Sequence, residues 1–125
     1  MAEIQESKLI AIIDDDESMR DSVSDLIESA GFEARCFGSP KAFLESDLHS
    51  KASCLIVDIF MPTMSGLKFQ ARMKQEERNI PIIVITAYDN AETRAQVMKE
   101  GVVAFLPKPF DYQLLLKTVR AALDV

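Results

Sequence analysis

Asp14, Asp15 and Asp16 stand side by side directly after the apolar run LIAII at 9–13. Three other apolar runs also end in a chemically able residue: Asp58 follows SCLIV, Thr86 closes IIVIT, and Lys108 lies just beyond VAFL. Carboxylates crowded together repel one another, and at least one is driven toward protonation unless a cation intervenes. Hard oxygen ligands of this kind suit Mg²⁺, which takes one or two carboxylates, keeps several waters and fills its remaining positions with phosphate oxygens. The substrate this points to is a phosphoryl group. Lys108 can offset its charge as a point cation and the Thr86 hydroxyl can donate to one of its oxygens, which leaves one of the carboxylates to act as nucleophile.

These groups can cooperate only if the chain delivers them to one place. Apolar runs at 9–13, 32–37, 53–57, 82–86 and 103–106 predict five strands, and helical periodicity fills the stretches between them. The second run is the least apolar: Glu33 and Arg35 alternate with Phe32, Ala34 and Cys36, as in a half-exposed edge strand. Met19, Val23, Leu26, Ile27 and Ala30 form the core stripe of a first helix that Gly31 stops. Ser39-Pro40 opens a second helix with a hydroxyl cap and a proline at the first helical position, and Ala42, Phe43 and Leu44 are its expected core side. A third helix is expected over 65–78, a fourth over 90–100, and a fifth from Phe110 or Asp111, with Leu115, Val119, Ala122 and Leu123 facing the core. Pro81 is acceptable because it precedes its strand. Regular alternation of strand and helix implies right-handed crossovers and a doubly wound α/β fold, a five-stranded parallel sheet with helices on both faces. In such a sheet every strand exit lies on one edge, where ligand chemistry collects. The exits place Asp14, Asp15, Asp16, Asp58, Thr86 and Lys108 there, while the second strand leaves through Phe37-Gly38-Ser39 with no evident chemistry.

At 125 residues the chain is expected to form one domain over 1–125, with 1–8 as a polar flank. Hydrophobic residues make up 48% and charged residues 27%, and no apolar stretch reaches the roughly 20 residues of a membrane helix. The acidic opening MAEIQESK lacks the order of a secretory signal, so a cytoplasmic location and no membrane contact are expected. A net charge of −6 without a basic face argues against direct nucleic-acid binding by this segment. Cys36 and Cys54 have neither metal nor CxxC spacing and are expected as buried thiols.

Taken singly, each site residue has a plainer use. Asp16 or Glu17 would serve as a helix cap, Thr86 as a strand terminus and Lys108 as a solvated cation. The weight lies in four strand exits delivering mutually compatible groups to one edge.

Over nearly its whole length the chain resembles the receiver domain of two-component response regulators. That family has an acidic pair after its first strand, a phosphoacceptor aspartate after the third, Thr or Ser after the fourth and Lys-Pro after the fifth. Here these are Asp14-Asp15, Asp58, Thr86 and Lys108-Pro109. DIFMPTMSG at 58–66 matches the acceptor loop, and FLPKPF at 105–110 resembles the nitrogen-fixation and nodulation branch. The resemblance implies a flavodoxin-like, CheY-like sheet of order 2-1-3-4-5. It also implies that Asp58 takes a phosphoryl group from a sensor histidine kinase or phosphotransfer protein, with Mg²⁺ as cofactor. Asp15, Asp58 and the Phe60 backbone carbonyl would hold the metal directly and Asp14 through water, and the Lys108-Pro109 bond would be cis. Thr86 and Phe105 would form the switch, with Phe105 lacking the hydroxyl of the tyrosine often found there. The surface of the fourth helix, fifth strand and fifth helix would then change, for homodimerisation or for control of an output such as transcription through a domain outside this segment. Phe60 and Tyr88, two positions beyond Asp58 and Thr86, would shield the acyl phosphate from water.

Three rivals remain at this stage. A haloacid-dehalogenase-type phosphatase would use Asp14 as nucleophile but would leave Asp58 without a role and lacks a later acidic pair. A flavodoxin-like cofactor binder would need a first loop that cradles phosphate, which three carboxylates would repel. A receiver-like module that is never phosphorylated would not need the complete set of side chains found here. On the main reading the chain is no turnover enzyme, since it catalyses only its own modification.

Overall fold

The computed structural model describes residues 8–47, 51–58, 80–87, 91–99 and 101–124. The helix expected over 65–78, the Phe60 carbonyl and Tyr88 lie outside the described residues. Five strands, β1 (Leu9–Ile13), β2 (Glu33–Phe37), β3 (Cys54–Asp58), β4 (Ile82–Thr86) and β5 (Ala104–Pro107), form one sheet in the order β2-β1-β3-β4-β5. Every pairing in it is parallel. The described helices are α1 (Glu17–Ser29), α2 (Pro40–Glu45), α3 (Ala91–Lys99) and α4 (Tyr112–Leu123). The last two are the fourth and fifth helices expected from the sequence.

Burial follows the pleat of β1. Ile10 and Ile12 face one side with Val23 and Ile27 of α1 and Leu115 and Val119 of α4. Ala11 and Ile13 face the other side with Phe43 of α2 and Val97 of α3. Strands β1, β3 and β4 are buried along their whole length, as strands covered on both faces must be. Edge strand β2 is exposed at Glu33, Arg35 and Cys36 and buried only at Ala34. Cys36 therefore corrects the expectation of two buried thiols: β2 has a sheet neighbour on one side only, and α1 covers it incompletely. Cys54, in the middle of the sheet, is fully buried, and desolvation pushes its thiol up to about 12 despite a hydrogen bond to the Leu55 carbonyl. Ala42 is likewise exposed, so the core side of the short α2 is Phe43, with Leu44 half-buried beside it.

Two helix starts carry caps that the sequence indicated, Ser39 and Asp16, and Asp111 caps α4 where the sequence marks only a helix start. Ser39 accepts from the Ala42 N–H at 3.1 Å with Pro40 in the first turn, Asp16 accepts from the Met19 N–H at 3.3 Å, and Asp111 accepts from the Gln113 N–H at 2.8 Å. Helix α1 stops at Gly31, whose φ of +92° suits a residue without a Cβ.

Candidate phosphoacceptor site

Register brings the strand exits level with one another. Ile13 pairs with Val57, Asp58 with Ile85 and Thr86 with Pro107, so the residues that end or follow these strands share one edge. Two backbone bonds extend the ladder past the strands: the Asp14 N–H donates to the Phe37 carbonyl at 3.1 Å, and the Lys108 N–H donates to the Thr86 carbonyl at 2.6 Å. Asp58 is itself the last residue of β3, one position earlier in the geometry than an exit loop would put it.

On that edge, carboxylate oxygens of Asp14, Asp15 and Asp58 all lie within 4.8 Å of one another. Asp14 is wholly buried, Asp58 is buried, and Asp15 is exposed, so the cluster opens to solvent on its Asp15 side. Lys108 reaches into it from beyond β5. Its ammonium donates to Asp14 Oδ2 at 2.8 Å and to Asp58 Oδ2 at 3.0 Å. Burial alone would lower the Lys108 pKa, but the hydrogen bonds and charges of the two aspartates outweigh it and leave the ammonium above the usual lysine value of 10.5. Thr86 is wholly buried at the end of β4. The Lys108-Pro109 peptide is cis. Asp16 does not join the cluster: its carboxylate caps α1, while its N–H donates to Asp14 Oδ1 at 2.9 Å.

Three carboxylates and a lysine converging at the exit of a parallel sheet, with a buried hydroxyl on the same edge, are the constellation expected from the spacing of these residues. Residues 10–120 match the family described as the response regulator receiver domain. The chain belongs to that family. It is a receiver domain of two-component response regulators, a family of phosphorylation switches.

Among curated relatives, the receiver is 38% identical over 119 residues to response regulator protein TodT of Pseudomonas putida, covering 95% of this chain and 52% of TodT. It is 39% identical over 116 residues to nodulation protein W of Bradyrhizobium diazoefficiens, covering 93% of this chain and 51% of that protein. The chain thus spans about half the length of these relatives. Among solved structures, the crystal structure of FixJ-N superposes with a TM-score of 0.84 at 29% identity, covering 96% of each chain. The likeness to the nitrogen-fixation and nodulation branch therefore extends over the whole fold. Family membership also removes the phosphatase and flavodoxin-like rivals.

The second member of the expected switch pair, Phe105, is buried on β5 in the cluster that includes Val84 and Val97. The Arg94 guanidinium carbon lies 4.9 Å from the centre of its ring, in cation–π range. Sequence reasoning passed over Arg94, and it passed over Arg20 as well. Arg20 Nη1 donates to the Asp14 backbone carbonyl at 2.7 Å, and a Cβ on Gly38 would stand 3.6 Å from the same nitrogen. The second strand's exit, which looked chemically empty, thus borders the acid cluster through Phe37 and Gly38. A basic residue six positions after an acidic loop was the only sequence signal for Arg20, and it reads equally well as a surface charge on a helix.

Proposed function

We propose that Asp58 accepts a phosphoryl group from a phosphohistidine on a sensor histidine kinase or phosphotransfer protein, and that the aspartyl phosphate resets the surface formed by α3, β5 and α4. The observation that carries this reading is the ammonium of Lys108 set 3.0 Å from Asp58 Oδ2, inside a cluster of three carboxylates. An oxygen of Asp58 forms the new O–P bond as the P–N bond of the donor breaks, and the electron pair leaves with the imidazole nitrogen. Lys108 is in place to follow the charge onto a phosphoryl oxygen, and as a lysine ammonium it is cationic at neutral pH.

The acid cluster fits a hard divalent cation, because three carboxylate oxygens within 4.8 Å repel one another and supply the ligand type Mg²⁺ prefers. Asp15, Asp58 and the Phe60 carbonyl would hold Mg²⁺ directly, with Asp14 acting through water. Bound there, Mg²⁺ would neutralise charge on the phosphoryl oxygens during in-line transfer.

The switch we propose couples Thr86 to Phe105. The Thr86 hydroxyl swings toward the phosphoryl group, and Phe105 holds the space behind it. The exposed apolar side chains Met98, Val103, Tyr112 and Leu114 support α3, β5 and α4 as a docking or dimerisation face. Relatives of twice this length, among them the transcriptional regulatory protein TdiR of Thauera aromatica, support control of an output by a further domain. No helix among the described residues is long and apolar enough to cross a membrane, and a kinase-fed switch of this kind would work in the cytoplasm. The test is incubation with acetyl phosphate, or with a phosphorylated histidine-phosphotransfer protein, with and without Mg²⁺. A Mg²⁺-dependent adduct cleaved by hydroxylamine, as an acyl phosphate is, supports the reading; a hydroxylamine-resistant adduct, or none, overturns it.

A further inference from the structure

We propose that Arg20 is a positioning residue for the metal-binding acids: by holding the Asp14 carbonyl it fixes the Asp14–Asp15 peptide and thereby aims the Asp15 carboxylate at Asp58. The proposal rests on the receiver reading of the acid cluster and assigns a function within it to a residue on the flank of α1.

Arg20 is the fourth residue of α1, close to the helix N-terminus, where the backbone dipole disfavours a cation. Its place there needs a reason, and the geometry gives one. The side chain turns back over the helix start, and Nη1 donates to the Asp14 carbonyl at 2.7 Å, the short distance of a charge-assisted bond. Every other polar group of Asp14 is also engaged. Its N–H donates to the Phe37 carbonyl, Oδ1 accepts from the Asp16 N–H and Oδ2 accepts from Lys108. The Asp14 carbonyl and the Asp15 N–H belong to one planar peptide, so fixing the oxygen fixes the entry into Asp15. Asp15 is the exposed member of the cluster, lacks the packing that immobilises Asp14, and depends most on its backbone for aim. The loop itself is tied to the end of β2 by the Asp14 N–H to Phe37 carbonyl bond, and a Cβ on Gly38 would stand 3.6 Å from Arg20 Nη1, so the guanidinium occupies the space beside that exit. Residues that orient ligands from behind typically cost about 10–100-fold in metal affinity when removed.

The experiment compares wild type, Arg20→Met and Arg20→Lys for binding of Mg²⁺ alone by calorimetry, and then for the Mg²⁺ dependence of Asp58 phosphorylation by acetyl phosphate. Arg20→Met is expected to weaken Mg²⁺ about tenfold, and Arg20→Lys, which retains a cationic donor, to recover most of the loss. At saturating Mg²⁺ the phosphorylation rate of Arg20→Met is expected to return to within about twofold of wild type, because aim and not chemistry is impaired. An unchanged Mg²⁺ affinity in Arg20→Met overturns the proposal. So does a rate deficit that saturating Mg²⁺ leaves in place, or a lysine variant as impaired as the methionine one. Should Arg20→Met fail to fold, Arg20→Gln, which is shorter and uncharged, is judged by the same three criteria. The calorimetric arm uses no phosphoryl donor. Failure of the receiver reading would appear differently, as wild type that takes up no phosphoryl group.

Discussion

Asp58 and Lys108 are separated by 50 positions in the chain, yet the lysine Nζ stands 3.0 Å from Asp58 Oδ2. The same ammonium is 2.8 Å from Asp14 Oδ2, so one cation answers two carboxylates that would otherwise repel each other. Replacing Lys108 with Met leaves that pair uncompensated. The expected loss is roughly 2 kcal/mol, below the about 3–5 kcal/mol of a fully buried broken pair because the cluster opens to water at Asp15. Urea unfolding with and without Mg²⁺ checks this: the deficit should shrink when Mg²⁺ is added. A variant as stable as wild type in both conditions would show that the pair contributes nothing.

The same contact sets an alkaline limit. Lys108 has a folded pKa raised above its unfolded value of 10.5, so its contribution is fully present below 10.5 and is lost as pH rises through the higher folded value. Stability attributable to Lys108 should therefore be flat through neutral pH and fall only in strongly alkaline solution. The difference in unfolding free energy between wild type and Lys108→Met, followed across that range, should narrow as pH rises. A difference that widens would mean that the sign is wrong.

Neighbouring acids should separate by role. Asp16 caps α1 through the Met19 N–H, so Asp16→Ala should cost about 1 kcal/mol in stability and leave Mg²⁺ affinity unchanged. Asp15 shares the cluster with Asp14 and Asp58, so Asp15→Asn should weaken Mg²⁺ by more than about tenfold with little effect on folding. Calorimetry and thermal melts on the two variants measure both. Reversed outcomes would exchange the assignments.

The two cysteines should also differ. Cys54 is fully buried with its thiol pushed up to about 12, and should resist alkylation in the native protein. Cys36 is exposed on β2, and although partial burial raises its pKa somewhat, it should be modified without denaturant. Mass spectrometry after timed iodoacetamide treatment should show one modification under native conditions and two in denaturant. Equal native rates at both positions would contradict the described packing of β3.

Much of the site was legible because the strands advertise their own exits. LIAII ending in acids and IIVIT ending in a hydroxyl state both a buried strand and the group it delivers, and a parallel sheet allows those ends only one edge. Lys108 needed more than its run, since its reach to Asp14 and Asp58 depends on the register of β4 with β5. What stayed hidden acts through the backbone or through coverage. Arg20 touches a carbonyl rather than a side chain, so no pairing of residue types reveals it. Cys36 obeyed the alternation of an edge strand but met too little of α1 to be buried. The end of β3 fell one residue later than the apolar pattern suggested, because Asp58 continues the ladder with β4 although its side chain is polar.

The most direct measurement is the intact mass of wild type and Asp58→Asn after incubation with acetyl phosphate and Mg²⁺, with a Mg²⁺-free control. One added phosphoryl mass is expected on wild type, absent from Asp58→Asn and absent without Mg²⁺. A phosphoryl group that persists in Asp58→Asn, or a wild type that never gains one, would contradict Asp58 as the phosphoacceptor.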